Sequence, residues 1–103
     1  MTRQDETTGT GVSNGGTVSA SVETRHEDDV HILVDNGAGG APASHDITVD
    51  VEDGNGTAMQ YDSKTGITAR SHDYDAVSDK MVVTLTNQSG GAADFRVRIV
   101  ADE

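Results

Sequence analysis

The sequence VHILVDNGAGGAPASHDITVDVED, residues 30–53, decides the fold. An apolar residue at every second position is typical of a half-buried β-strand, because successive side chains of a strand point to opposite faces. Between its two alternating runs lies Asn36-Gly-Ala-Gly-Gly-Ala41, whose glycines supply the positive φ angles of a hairpin or of a turn between sheets. The stretch therefore predicts two β-strands joined by a turn. The alternating apolar positions are Val30, Ile32 and Val34, then Ile47, Val49 and Val51.

A second stretch repeats this pattern. Residues 81–103, MVVTLTNQSGGAADFRVRIVADE, also run from an alternating strand through an Asn to a Gly-Gly-Ala sequence and another alternating strand. Asn36 and Gly39–Ala41 of the first stretch correspond to Asn87 and Gly90–Ala92 of the second. Two origins fit this match: an internal duplication, and independent selection of the same turn residues between strand pairs.

The alternating pattern covers residues 17–103 as about seven short runs, each bounded by Gly, Asn, Asp or Ser. No window of the sequence shows the i, i+3, i+4, i+7 apolar spacing of an amphipathic helix. Short strands at regular intervals predict an antiparallel β-sandwich of two sheets. The predicted core consists of Val18, Val22, Val30, Ile32, Val34, Ile47, Val49, Val51, Met59, Tyr61, Ile67, Val77, Met81, Val83, Leu85, Phe95, Val97 and Ile99.

Residues 1–16, MTRQDETTGTGVSNGG, have a different composition, since Val12 is the one strongly apolar residue after Met1. A segment this polar cannot by itself bury enough apolar surface to offset the entropy lost on ordering. We therefore expect an extended N-terminal arm over residues 1–16, either flexible or ordered by a neighbouring subunit. The sandwich would then comprise residues 17–103.

The charge and the absence of Cys exclude several classes of protein. The 103 residues include 7 Lys and Arg against 18 Asp and Glu, which gives a net charge of −11, and there is no Cys. Such a chain repels the phosphates of nucleic acid, and it can form neither disulfides nor Cys-ligated zinc sites. Its apolar runs are far shorter than the roughly 20 residues that cross a bilayer. We expect no nucleic-acid partner and no membrane insertion.

The composition is typical of a halophile, with an excess of Asp, little Lys and only two Tyr and one Phe as aromatic residues. Near 1 M salt the Debye length is about 3 Å, so uncompensated surface carboxylates hardly repel one another. An acidic domain of an ordinary mesophile is the alternative interpretation.

The strand pairs joined by VDNGAGGAPA and LTNQSGGAA resemble those of immunoglobulin-like sandwich modules in microbial surface proteins and viral structural proteins. The antibody-type Cys…Trp…Cys core is missing, which excludes a true antibody domain. With the halophile composition, the single module resembles the small capsid or decoration proteins of haloarchaeal viruses.

This resemblance implies a structural protein of the virion that binds other viral structural proteins or copies of itself, as a homo-oligomer within an assembly. It implies neither enzymatic activity nor a cofactor. The polar start of the chain predicts no signal peptide, so synthesis in the host cytoplasm is expected. The alternative is an immunoglobulin-like binding module on the cell surface of a halophilic archaeon, with a role in adhesion.

Carboxylates around a glycine-bearing turn are a candidate metal site, because a hard cation such as Ca²⁺ takes several oxygen ligands. They are Asp50, Glu52, Asp53 and Asp62. The spacing does not fit an EF-hand loop, so a solvated hairpin turn is the favoured interpretation and we predict no metal site.

Arg96 and Arg98 lie on one face of the last predicted strand. On so acidic a chain they either dock an acidic neighbour or pair with carboxylates of their own sheet. Together with Val12 of the arm, they are the predicted interface residues.

Two sequences, Ser44-His45-Asp46 and Ser71-His72-Asp73, contain the residue types of a catalytic triad. Adjacent residues of a strand point to opposite faces, so neither sequence can form a triad by itself. We therefore expect no enzymatic activity.

Overall fold

A computed structural model describes residues 2–25 and 27–103, so that Met1 and His26 lie outside the described residues. Within those ranges, no helix is long and apolar enough to cross a membrane. The eight strands are β1 (Arg3–Val12), β2 (Thr17–Glu23), β3 (Asp29–Asp35), β4 (His45–Glu52), β5 (Ala58–Ile67), β6 (Ser71–Asp75), β7 (Lys80–Asn87) and β8 (Ala93–Asp102).

The strands form two antiparallel sheets of four, in the orders β1-β8-β3-β6 and β2-β7-β4-β5. The chain doubles back at the turn between β4 and β5, and the strands on either side of this turn pair in nested order. Thus β4 pairs with β5, β3 with β6, β2 with β7 and β1 with β8. Two further pairings, β3 with β8 and β4 with β7, complete the sheets. Eight strands wound into two sheets in this way are a jelly roll.

The prediction of an all-β protein with two antiparallel sheets is confirmed, but the strand number and order differ from those predicted. The described residues form eight strands rather than seven, and the order is not that of an immunoglobulin domain, whose sheets hold strands ABED and CFG. Among the described strands, β4 and β5 are the one sequential pair that shares a sheet. The alternation of apolar residues shows which side of a strand is buried, but it does not show which strands pair. It therefore could not distinguish the observed strand order from that of an immunoglobulin domain.

The sheets pack face to face over one apolar core. Alternate residues of β7 and β8 point into it, and Phe95 is the largest of the fully buried side chains. Most of the predicted core residues are buried, but Met59, Tyr61 and Val77 are 70%, 41% and 47% exposed. Met59 and Tyr61 lie on β5, which has a partner on only one side and shifts register twice against β4.

The first strand corrects the prediction of a flexible or partner-ordered arm. Residues 3–12 pair along β8 of the same chain, from Arg3 opposite Ala101 to Val12 opposite Ala93. Backbone pairing orders this polar segment, because β8 would otherwise present a long row of unpaired backbone groups. Val12, predicted as an interface residue, packs against the core of its own chain.

An ion pair holds the start of β1. Arg3 Nη2 lies 2.5 Å from Asp28 Oδ2, and the Asp28 side chain is only 2% exposed. The same carboxylate oxygen accepts the backbone N–H of Arg25 at 2.8 Å. A buried carboxylate that loses its cation destabilises a protein strongly, so the sandwich depends on β1.

Asn87, which is fully buried, joins the two corners of the fold at the other end of β1. Its backbone N–H and C=O bond to the β1–β2 corner, its Nδ2 bonds to both corners, and its Oδ1 bonds to the β7–β8 corner. These five hydrogen bonds, of 2.7 to 2.9 Å, are made with Gly16 O, Gly15 N, Val12 O, Gly91 O and Ser89 N.

We expect Asn87→Ala to lower the free energy of unfolding by about 3 kcal/mol, because it removes the three side-chain hydrogen bonds of a fully buried residue. Asn36→Ala is the matched control. Asn36 heads the corresponding turn of the other stretch and accepts two backbone N–H groups at 2.9 Å, but it is exposed. We expect it to cost about 1 kcal/mol or less. Urea unfolding measures both values, and equal losses would contradict the role assigned to Asn87.

Deletion of residues 1–12 is expected to destabilise the whole domain, because it uncovers β8 and leaves Asp28 without Arg3. The loss should be about 3 kcal/mol or more. Thermal unfolding followed by circular dichroism measures it, and deletion of residues 1–2 alone is the control. A truncated chain with the melting temperature of the full chain would show that β1 is a dispensable arm.

Candidate functional site

The outward side of the β1-β8-β3-β6 sheet, which we call the outer face, is the candidate site. Val97 and Ile99 of β8 point into the core, so Arg96 and Arg98 point outward. The register places the side chains of this face in four rows across the strands. In order, the rows are Thr8, Arg96 and Asp35; Glu6, Arg98, Leu33 and Ser71; Gln4, Val100, His31 and Asp73; and Asp102, Asp29 and Asp75.

Rows one and two form a basic end in which both predicted arginines have partners on neighbouring strands. Arg96 Nε lies 3.1 Å from Asp35 Oδ1, and its Nη2 bonds to the other oxygen of this carboxylate. Arg98 Nε and Nη2 lie 2.8 and 2.7 Å from Glu6 Oε1. The hydrogen bond from Arg96 lowers the pKa of Asp35. Of the two predicted alternatives, pairing within the sheet is therefore present, and it holds both guanidinium groups in place.

A shallow cleft of about 230 Å³ opens at this basic end. Arg96 and Arg98 line it together with Arg70 and Leu33, so three of the seven Lys and Arg residues of the chain meet here. Leu33 is 40% exposed. Among the described residues, Arg70 has no carboxylate within salt-bridge distance. Small-molecule sites usually occupy about 300–1,000 Å³, so the cleft suits one or two side chains of another protein better.

The last row forms an acidic end. Asp29 lies directly opposite Asp102 on one side and Asp75 on the other, and like charges in such positions destabilise a sheet. None of the described Lys or Arg side chains is paired with these three carboxylates. In the adjoining row, His31 Nδ1 lies 2.7 Å from Asp73 Oδ1, and this hydrogen bond raises the pKa of His31. In the part of the chain that the structure describes, no three His, Asp or Glu are arranged to hold a metal ion.

The carboxylates around the β4–β5 turn do not converge. Asp53 Oδ1 accepts the backbone N–H groups of Asn55 and Thr57 at 2.9 and 3.1 Å, so it caps the turn. Asp62 lies opposite the buried Val49 and accepts the Tyr74 hydroxyl at 2.7 Å. Burial and this hydrogen bond raise the pKa of Tyr74. Asp50 and Glu52 alternate with the core residues of β4 and point to the other side of the sheet.

The two Ser-His-Asp sequences are divided between the faces of their sheets. His45 is fully buried against Phe95, with ring centroids 5.8 Å apart, and its Nδ1 donates to Ala43 O at 2.8 Å. The Asp46 carboxylate instead lies on the solvent side of the β2-β7-β4-β5 sheet, where it accepts the backbone N–H of Gly66. His72 faces the interior, where burial lowers its pKa, while Asp73 lies on the outer face. Neither sequence forms a triad.

Sequence analysis did not identify Leu33 and Arg70 as residues of the cleft. Leu33 carried a signal, because it is an apolar residue at an outward position between His31 and Asp35. Arg70 carried none, since it lies between β5 and β6 and reaches the cleft only through the pairing of β6 with β3.

No protein-family model and no curated protein sequence matches this chain. Several solved structures share its fold. The mitogen from Yersinia pseudotuberculosis aligns with 99% of this chain and 86% of its own, at 12% identity and a TM-score of 0.67. A protein from Sulfurospirillum deleyianum aligns over 98% of both chains at 8% identity and a TM-score of 0.58. PirA aligns with 95% of this chain and 92% of its own, at 14% identity and a TM-score of 0.52. At such identities, the likeness is one of fold alone.

The opposite environments of His31 and His72 predict opposite titrations. We expect His31 to titrate above 6.5 and His72 below it, as measured by NMR of the imidazole protons, and Asp73→Asn to lower the pKa of His31. As the pH falls below 6.5, His72 should reduce stability because the unfolded chain binds its proton more readily. The stabilisation from His31 is present below pH 6.5 and is lost as the pH rises through its folded pKa. A His72 pKa above that of His31 would contradict this assignment.

Proposed function

We propose that this chain is a non-enzymatic structural protein of a halophilic archaeal virus, acting through protein–protein contacts that build or stabilise the particle. The observation that carries the proposal is the cleft of the outer face, where Arg70, Arg96 and Arg98 surround the exposed Leu33. Interfaces between proteins are enriched in Arg and in exposed apolar anchors and depleted in Lys. The chain has only two Lys, and neither lines the cleft.

Electrostatics favour this surface as the contact with an acidic neighbour. The chain has a net charge of −11, and acidic partners are expected in a halophilic particle. In concentrated salt the Debye length falls to about 3 Å, so only charges in direct contact attract. Asp35 and Glu6 hold Arg96 and Arg98 in fixed positions, so little side-chain entropy remains to be lost on binding.

The fold is consistent with the proposal but does not establish it. Double-sheet jelly rolls occur in viral capsid domains and also in lectin domains, and a fold by itself does not determine function. A cell-surface module that binds other molecules could have the same fold. Localisation distinguishes these two functions.

Mass spectrometry of fractionated cultures of the source organism tests the proposal. The tryptic peptide Ser71–Lys80 is a suitable marker. We expect it to band with density-purified virus particles at a constant ratio to the major capsid protein. Recovery in the cell envelope alone would favour the surface module, and recovery in the soluble fraction alone would contradict both functions.

A matched pair of variants tests the outer face. Leu33→Glu places a carboxylate within the cleft, whereas Val77→Glu changes a residue of similar exposure, 47% against 40%, outside its lining. We expect Leu33→Glu to reduce incorporation into particles at least about tenfold, as expected for a like charge at an interface core, and Val77→Glu to have little effect. Equal incorporation of both variants would exclude the cleft as the contact.

A further inference from the structure

The outer face is complementary to itself. Consider two copies whose outer faces meet, related by a two-fold axis that lies in the plane of the contact and runs perpendicular to the strands. Rotation about this axis places each strand over the same strand of the second copy and reverses its direction. Row one of one copy then lies over row four of the other, and row two over row three. The basic end of each copy thereby covers the acidic end of the other, which is the self-complementary arrangement of an isologous dimer.

This operation places arginines of one copy over aspartates of row four of the other, and among the described residues these aspartates have no Lys or Arg partner. Arg70, next to β6 at the basic end, lies over Asp75 of the second copy, near the other end of the same strand. Arg96 lies over Asp102 of the second copy, because both belong to β8. The rotation also sets Asp35 over Asp29 of the second copy, twice in the dimer, and these contacts are unfavourable, although Asp35 is already paired with Arg96.

The middle of the contact contains two apolar side chains among polar ones. Leu33 and Val100, in rows two and three, lie near the axis, where Leu33 lies over His31 of the second copy and Val100 lies over Arg98. Leu33 is the exposed large apolar side chain of the face.

We propose that the partner of the outer face is a second copy of this chain, bound face to face about such a two-fold axis. The inference rests on the proposed function, since it names the partner of the same surface. Among the described residues, Arg70 has no carboxylate partner and the aspartates of row four have no Lys or Arg partner. These groups lie at opposite ends of one face, as two-fold pairing requires, so the inference commits to a second copy.

The size of the face predicts a weak dimer. Four rows and four strands span about 20 by 15 Å at ordinary strand spacings. The area of the face is therefore well below the roughly 800 Å² that each partner buries in a stable complex. We expect dissociation constants of about 10 μM to 1 mM, which multivalency in an assembly would strengthen.

Charge reversal gives a test with internal controls. In sedimentation equilibrium at up to about 1 mM protein and moderate salt, we expect the full chain to dimerise. Arg70→Glu and Asp75→Arg should each weaken self-association by about tenfold or more, because both create two like-charge contacts. An equimolar mixture of the two variants should restore dimers, since Glu at 70 then meets Arg at 75 and Asp75 meets Arg70. Lys64→Glu and Asp50→Arg, which lie outside the outer face, are the controls.

The double variant Arg70→Glu/Asp75→Arg completes the design. We expect it to dimerise with itself but not with the unmodified chain, because both contacts between residues 70 and 75 of the two chains then join like charges. A monomeric full chain at about 1 mM, or a mixture of single variants no more associated than either alone, would overturn the proposal. If particles nevertheless contain the chain, the proposed function stands and only the identity of the partner is wrong.

Discussion

The buried amide of Asn87 is the interaction on which the rest of the structure depends. The side-chain amide donates to Val12 of one corner and to Gly91 of the other, and the backbone N–H of the same residue donates to Gly16, so Asn87 fixes where β1 meets β8. Most connections of this fold lead from one sheet to the other, so hairpins cannot set the pairing register of most strands. The corners between the sheets set it instead. With β1 in register, Glu6 lies opposite Arg98 and the basic end is complete. The outer face is thus a consequence of a residue buried at the end of the sandwich.

The sequence predicted the elements better than their arrangement. Alternation identified β2, β3, β4, β7 and β8 because each has one buried face, and Phe95, Val97 and Ile99 are buried as expected. It failed for β1, which contributes little to the core and is ordered by backbone pairing with β8. It also failed for Met59, because an edge strand with register shifts carries apolar side chains beyond the core.

The same distinction applies to the site. The outward direction of Arg96 and Arg98 follows from the phase of a single strand, and sequence alone was sufficient for it. Their partners depend on pairing between strands far apart in sequence, Asp35 in β3 and Glu6 in β1. Arg70 enters the cleft from a connection, and no local pattern indicates the position of its side chain.

Two explanations can be compared for the row of aspartates at the acidic end: screening of the charges by salt, and binding of a partner. Asp29, Asp75 and Asp102 lie side by side, an arrangement that costs stability in dilute buffer. Concentrated salt removes most of that cost, but it would do so for aspartates at any position on the surface. Screening in concentrated salt would therefore make such a row tolerable, but it would not explain the position of the row. The row occupies one end of a face whose other end holds three arginines around Leu33, and contact between the two ends accounts for both the charge and its location.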